Sequence, residues 1–395
     1  MSGDSQEPLC LFVGLKTLEI MRKQRKIEHY GLKSHEARFG TEEKCRDFLF
    51  QLRWEDGHPT CQDPDCGNKH MNYYLSSRDI WKCSKCKKQF SLTKGTIFES
   101  SNLPLTMWFK AIFFFMIHKR GISSCQLARD LETEQRTAWF ILHRLREALN
   151  NNNSLNLDGE VEVDETYIGP KISRDTRLQN QKKIHNAEQE RIHGFGNEKK
   201  RRLRGGPAKR GRKKGSTKEV LEQKRLERER KGERIPFEQP IVVFGMLQRN
   251  GKLLLQVLGK SEKSATQNNI FPILQKHVTS KSIIISDQWN LYDATSKIFK
   301  DHQSVNHDEG YVINGIHING IENAFKHLKK MIDGTYFHMA LHHFNAYLRE
   351  QSFRWNVLKK SDREKVDEFL PELLGKRLKY GELISRNFNP LNFAA

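Results

Sequence analysis

The chain has 395 residues, with 68 Lys and Arg against 48 Asp and Glu, giving a formal net charge of +20 and a pI near 9.6. Such a field attracts polyanions, so nucleic acid is the first partner to consider and an anionic membrane surface the second. The longest apolar run, Ala111 to Ile117, has seven residues, which excludes a spanning helix of about 20 apolar residues.

Residues 1–40 form an N-terminal extension without a secretory pattern, with a short helix predicted around Leu15 to Glu28. Residues 41–100 open with a predicted helix over Glu42 to Leu52 and then turn to cysteines. The chain has seven cysteines, four of them in two close pairs, a pattern of a reducing compartment and of metal binding. Cys61 and Cys66 are separated by four residues, and Cys83 and Cys86 by two. Thiolates so spaced reach one ion from a tight knuckle, and two knuckles complete a tetrahedral zinc site. The 16 residues between Cys66 and Cys83 can hold one hairpin, covered by Tyr73, Leu75, Trp81 and Phe90. A unit of roughly 40 residues with so few apolar side chains needs such a staple. His58 and His70 are alternative ligands, although four cysteines suffice.

Residues 101–150 read as helical. Ser123-Ser124 caps a helix through Leu127, Ala128 and Leu131, a break falls near Glu132-Thr133, and a second helix begins at Gln135. That is the spacing of a helix-turn-helix, whose second helix enters the major groove; Arg136, Arg144 and Arg146 are then placed to meet phosphates or bases. Two merely packed helices share the pattern.

Asn150 to Asn153 form a polar break. Glu160-Val161-Glu162-Val163-Asp164 alternates as a strand does. Residues 171–234 interrupt with an insert of 23 Lys and Arg against 9 Asp and Glu, holding +14 of the chain's +20. Its scarcity of aromatic residues leaves no core to build, so it reads as an electrostatic arm. Strands are predicted over Pro240 to Gln248 and Lys252 to Leu258, joined at Asn250-Gly251. A helix follows over Ser264 to His277, then a strand over Ser282 to Ser286 ending at Asp287, then helices over Ile316 to Met331 and Leu341 to Leu358. Residues 361–395 read as a C-terminal tail. A three-stranded antiparallel meander followed by alternating helix and strand is the connectivity of a ribonuclease H-like α/β core, here over residues 158–360.

Three acids stand out by position. Asp164 and Asp287 end predicted strands, and Glu322 lies on a helix with 34 residues between it and Asp287. Two-metal phosphoryl transfer requires oxygen ligands converging from several directions on a rigid scaffold, which strand ends and a facing helix provide. Asn319, Glu322, Lys326 and Lys329 recur at helical spacing on one face, where the lysines could meet DNA phosphates.

These residues match a known family. The matching stretches are Leu52-Arg53-Trp54-Glu55-Asp56-Gly57, Cys83-Ser84-Lys85-Cys86 with Phe90 to Thr96, and Val163-Asp164-Glu165-Thr166-Tyr167-Ile168-Gly169. Further on they include Val305-Asn306-His307 ahead of Tyr311-Val312, and His317-Ile318-Asn319-Gly320-Ile321-Glu322. The chain resembles the zinc-ribbon insertion-sequence DDE transposases of the ISXO and Merlin type, over roughly residues 40–360 apart from the insert. The resemblance implies an intracellular enzyme acting on DNA, with a structural zinc ion and catalytic Mg²⁺ or Mn²⁺. It would cut at element ends and transfer the freed strand, working as a homodimer or larger assembly. Asp164 and Asp287 match the first two catalytic aspartates. The third position falls in a His-x-Asn-x-x-Glu motif that offers Asn319 or Glu322, of which the carboxylate is the stronger ligand for a hard cation; Lys329 matches a basic residue seven positions on. A domesticated DNA-binding regulator and a structure-specific nuclease on the same fold are the competing readings. Two departures stand beside the resemblance: a first knuckle with four intervening residues instead of two, and a long insert. Within the insert, Lys209-Arg210-Gly211-Arg212-Lys213 resembles an AT-hook, in which a Gly-flanked Arg lies in a narrow minor groove, so Arg210 and Arg212 join the candidate DNA contacts.

Overall fold

A computed structural model describes residues 30–69, 72–150, 155–169, 240–259, 265–287, 292–305, 316–336 and 339–384. The predicted Leu15–Glu28 helix, His70, the basic insert with Arg210 and Arg212, Asn306-His307 and Tyr311-Val312 lie outside the described residues.

Two helices come first, α1 (Leu32–Phe39) and α2 (Glu42–Arg53). Thr41 caps α2, its hydroxyl accepting the Lys44 N–H at 3.3 Å, with Glu42 and Glu43 in the favourable first turn. Strands β1 (Tyr73–Leu75), β2 (Ile80–Lys82) and β3 (Gln89–Phe90) form a small antiparallel sheet in sequential order, with Trp81 opposite Phe90. Helix α3 (Leu105–Ile117) buries eight of its residues around its circumference, as its continuous apolar run requires. The predicted helix pair follows as α4 (Ser124–Asp130) and α5 (Gln135–Ala148). Ser123 caps α4 by accepting the Gln126 N–H at 3.1 Å, and Glu132 breaks the chain by adopting a φ of 51°.

The second sheet joins β4 (Glu160–Ile168), β5 (Ile241–Gln248), β6 (Leu253–Gly259), β7 (Ile283–Asp287) and β8 (Asp301–Val305). Its order is β6-β5-β4-β7-β8, with the first three antiparallel and β4, β7 and β8 parallel. That is the ribonuclease H-like arrangement expected from the element order. Helix α6 (Gln267–His277) covers one face, packing Ile270, Ile273 and Leu274 on Val161, Val163 and Phe244. Helices α7 (Asn319–Met331) and α8 (Phe344–Asn356) cover the other, against Val243, Leu255 and Ile285. The edge strand β6 is closed by side chains of α8: Asn345, Ser352 and Asn356 accept the N–H groups of Val257, Leu255 and Leu253 at 3.1, 3.1 and 2.7 Å.

The predicted tail is part of the fold as far as residue 384. Helix α9 (Asp362–Phe369), started by a capping box between Ser361 and Glu364, is followed by α10 (Tyr380–Ile384). Val366, Phe369, Leu370 and Leu373 enter the same core as α3 and α5, and Arg38 binds Asp367 at 2.5 Å. Likewise His35 and Phe39 of the predicted extension are buried, so α1 belongs to this core.

Candidate active site and metal centre

Successive residues of a strand point to opposite faces. Val161 and Val163 pack under α6, so Glu162 and Asp164 face α7. Strands β4 and β7 pair in parallel with Glu162 opposite Ile285, and two further residues along that register set Asp164 beside Asp287. Ile283 and Ile285 pack toward α7, which puts Asp287 on the same face. Helix α7 then brings Glu322 in its first turn. A close approach is possible because Gly245 lies opposite Asp164: a Cβ there would come 2.7 Å from Ile321 Cδ1 and 2.8 Å from the Phe325 ring.

Burial pushes the Asp164 carboxyl up to about 8, and the charges of Glu165, Asp287 and Glu322 add to the rise against the Glu165 N–H, which Asp164 accepts at 2.8 Å. The structure therefore brings the three predicted acids into one electrostatic cluster. Asn319 sits exposed at the first position of α7, and the Glu322 charge is felt at Asp164. Lys326 and Lys329 are exposed on the same helix, with Lys326 Nζ 3.8 Å from Glu322 Oε2.

Three members of this end of the sheet escaped the sequence reading. Glu165 points to the α6 side and accepts a short hydrogen bond from the buried Tyr292 hydroxyl. Its carboxyl is pushed up to about 7 by burial, with the Asp287 charge adding and the Tyr292 bond opposing. Glu165 was legible as the second acid of an Asp-Glu pair; Tyr292, 127 residues away, carried no local signal.

Glu162 is the third. It is 2% exposed, and its Oε2 accepts the Ile321 N–H at 2.9 Å, capping α7 from across the sheet. Its Oε1 lies 3.3 Å from Arg249 Nε and 3.6 Å from His317 Nδ1. Arg249 also donates to the His317 carbonyl at 3.0 Å and pairs with Glu160, tying the β5–β6 turn to the entry of α7. Gly320 is required here, since a Cβ would fall 2.6 Å from Glu162 Oε2.

The predicted arginines divide. Arg136 is exposed at the start of α5 and donates to the Tyr380 hydroxyl at 2.9 Å. Arg144 and Arg146, expected to face DNA, point inward. Arg144 donates to the carbonyls of Ile97, Glu99 and Leu378 at 2.7, 3.0 and 3.2 Å. Arg146 is 1% exposed and binds Glu350 at 2.8 Å. Arg354 and Tyr336 complete that buried cluster, reaching Glu350 Oε1 at 2.8 and 2.6 Å. Most of the second helix of the pair is thus interior, leaving its N-terminal end available.

The cysteines converge as predicted, the longer first knuckle included. Cys61 and Cys86 sulfurs lie 3.5 Å apart and those of Cys66 and Cys83 3.7 Å apart. A tetrahedron of sulfurs about 2.3 Å from a central ion has edges of about 3.8 Å, so the quartet fits zinc. Against the effect of burial, the Cys86 N–H and Asn68 amide hold the Cys83 thiol down to about 6, favouring a thiolate. Among the described residues this quartet is the one set of three or more metal-ligand side chains whose donor atoms all lie within 4.8 Å of each other. The three carboxylates gather more loosely, as mutual repulsion of like charges favours. Their all-oxygen donor set suits a hard divalent cation, whose charge would reverse the terms that raise Asp164. No helix among the described residues is long and apolar enough to cross a membrane.

Comparisons with known proteins match two stretches of the chain. Residues 40–89 match the model of a transposase zinc-ribbon domain, and residues 210–356 that of the ISXO2-like transposase domain. The second stretch includes Asp287 and Glu322 and begins beyond Asp164. The chain is 29% identical over 132 residues to an uncharacterized protein in transposable element ISH50 of Halobacterium salinarum, covering 33% of this chain and 43% of that protein. It is 30% identical over 87 residues to an uncharacterized transposase-like protein of Haemophilus influenzae, covering 22% of this chain and 70% of that protein. The chain therefore spans less than half the length of the first relative.

Proposed function

Because the chain belongs to the ISXO2-like transposases, we propose that it binds the ends of a mobile element and cleaves and rejoins DNA there, using divalent cations held by Asp164, Asp287 and Glu322. The observation that carries this reading is the gathering of three carboxylates from two parallel strands and one helix, with Asp164 raised by burial and further by the other charges. Mg²⁺ or Mn²⁺ bound at such a centre lowers the pKa of an attacking water or hydroxyl and neutralises charge on the scissile phosphate. Lys326 and Lys329 meet phosphates beside the cut. Glu162 keeps the start of α7, and with it Glu322, in register with the sheet. The ribbon and the N-terminal end of α5, with Arg136, hold the DNA, while the basic insert with Arg210 and Arg212 adds non-specific attraction. Two ends must be processed together, so the working form is a dimer or larger assembly.

The test is cleavage of labelled duplexes bearing the terminal sequences that flank the gene. Asp164→Asn and Asp287→Asn should abolish cation-dependent cleavage and leave end binding nearly unchanged. Glu322→Ala should do more damage than Asn319→Ala; the reverse order would move the third position to Asn319. Full cleavage by Asp164→Asn would refute the assignment of the centre.

A further inference from the structure

An open cleft of about 310 Å³ lies beside the exposed end of α5, away from the acidic cluster. This is at the lower end of the ~300–1,000 Å³ range of small-ligand sites. Its walls carry three aromatic rings, Trp108, Phe140 and Tyr380, contributed by α3, α5 and α10. Phe140 meets Tyr380 edge-on, with ring centroids 5.5 Å apart. The Arg136 guanidinium lies over the Tyr380 ring, 5.0 Å from its centroid, at the mouth of the cleft. Arg144 also lines it, and its three bonds to the carbonyls of Ile97, Glu99 and Leu378 tie α5 to the stretch before α3 and the stretch before α10. Ser101 is fixed in turn by the Trp108 indole N–H at 3.0 Å.

Aromatic faces beside a cation at the rim are the chemistry that holds a nucleobase with its phosphate. The cleft also lies where a helix-turn-helix turns its second helix toward DNA. We propose that the cleft takes one unstacked nucleotide of the bound DNA, its base against Tyr380 and Phe140 and its phosphate on Arg136. The proposal rests on the DNA-binding reading above, and it gives a role to the end of α5 once Arg144 and Arg146 are known to be interior.

The experiment measures binding of the full chain to two probes by fluorescence anisotropy, a 12-nucleotide oligothymidylate and a 12-base-pair duplex. Tyr380→Leu, which keeps apolar bulk without a ring face, should weaken oligothymidylate binding at least about fivefold and change duplex binding less than twofold. Tyr380→Phe should retain wild-type affinity for both. Photo-cross-linking of an oligothymidylate carrying 5-iodouracil should mark Tyr380 or Phe140. Equal losses for both probes, unchanged oligothymidylate binding in Tyr380→Leu, or cross-links confined elsewhere would overturn the proposal while the DNA-binding reading stands. Failure of wild type to bind either probe would overturn both.

Discussion

Replacing Glu162 tests whether the acid cluster depends on a residue that bears no ligand of its own. Glu162→Ala removes the carboxylate that accepts the Ile321 N–H at 2.9 Å in an environment only 2% exposed. A buried hydrogen bond to a charged group contributes about 1.5–3 kcal/mol, and this one also faces the positive end of a helix dipole. Arg249 loses less, because it is 24% exposed and keeps Glu160 and the His317 carbonyl. The net expectation is about 2–3 kcal/mol, concentrated in the first turn of α7. Glu162→Gln retains an acceptor oxygen and should cost about 1 kcal/mol. Gly320→Ala attacks the same joint from the other side, since its Cβ would sit 2.6 Å from Glu162 Oε2 and 2.8 Å from Leu247 Cδ2.

The assay is amide hydrogen exchange on α7, read beside the rate of DNA cleavage. If the loss is local, Ile321 and its neighbours should exchange roughly 30- to 150-fold faster in Glu162→Ala. Exchange in α6, on the opposite face of the sheet, should stay put. Cleavage should slow in the order wild type, Glu162→Gln, Glu162→Ala, with end binding little altered. Unchanged exchange at Ile321, or a uniform increase across α6 and α7 alike, would refute the reasoning that Glu162 acts as a local clamp.

Four further outcomes are expected. Glu350→Ala should destabilise the fold by about 3–5 kcal/mol in thermal melts, because Arg146 and Arg354 are left buried without their carboxylate. Burial alone would raise the Glu350 carboxyl, but Arg146 and Arg354 hold it below its usual range; that contribution is present above the unfolded-state value and should be lost as pH falls below about 4. Asp164 has the opposite sign: with its carboxyl raised to about 8, the fold loses stability as pH rises from about 4 to 8. Asp164→Asn should therefore melt higher than wild type at pH 8 in chelator, equal it near pH 4, and lose its response to Mg²⁺ or Mn²⁺. Mass spectrometry of the native protein should find one zinc ion, and Cys83→Ser or strong chelation should open residues 55–95 to proteolysis while the second sheet stays protected. Deleting residues 175–232, the heart of the basic insert, should weaken binding to all DNA sequences and flatten its salt dependence; loss of sequence preference with the salt slope intact would show that the insert reads bases.

How far the sequence disclosed these features depended on which physical signal each left locally. Strands β4, β5 and β6 were legible from period-two alternation or apolar runs, and β7 from a β-branched run ending at an acid. Strand β8, Asp301–Val305, was not, because a polar segment at the sheet edge leaves no hydrophobic pattern. The C-terminal segment did carry a signal: Val366, Phe369, Leu370 and Leu373 recur at helical spacing, and all four are buried. Arg144 and Arg146 misled because charge is visible in a sequence whereas a partner such as Glu350, 204 residues away, is not.

The same blindness concealed Glu162, and there the error is instructive. Glu160, Glu162 and Asp164 alternate with valines, which ordinarily means that the acids face water. In this sheet helices cover both faces, and Glu162 and Asp164 lie beneath one of them. Burying such a row is costly unless a hydrogen-bond network or a cation meets it. Glu162 has the network, supplied by the Ile321 N–H and Arg249. Asp164 has the Glu165 N–H and then mainly like charges, so its raised carboxyl marks where the fold leaves electrostatic work for a ligand to complete. Two acids a single pleat apart on the same strand face thus divide into a clamp and a site, by what the neighbouring elements bring to each.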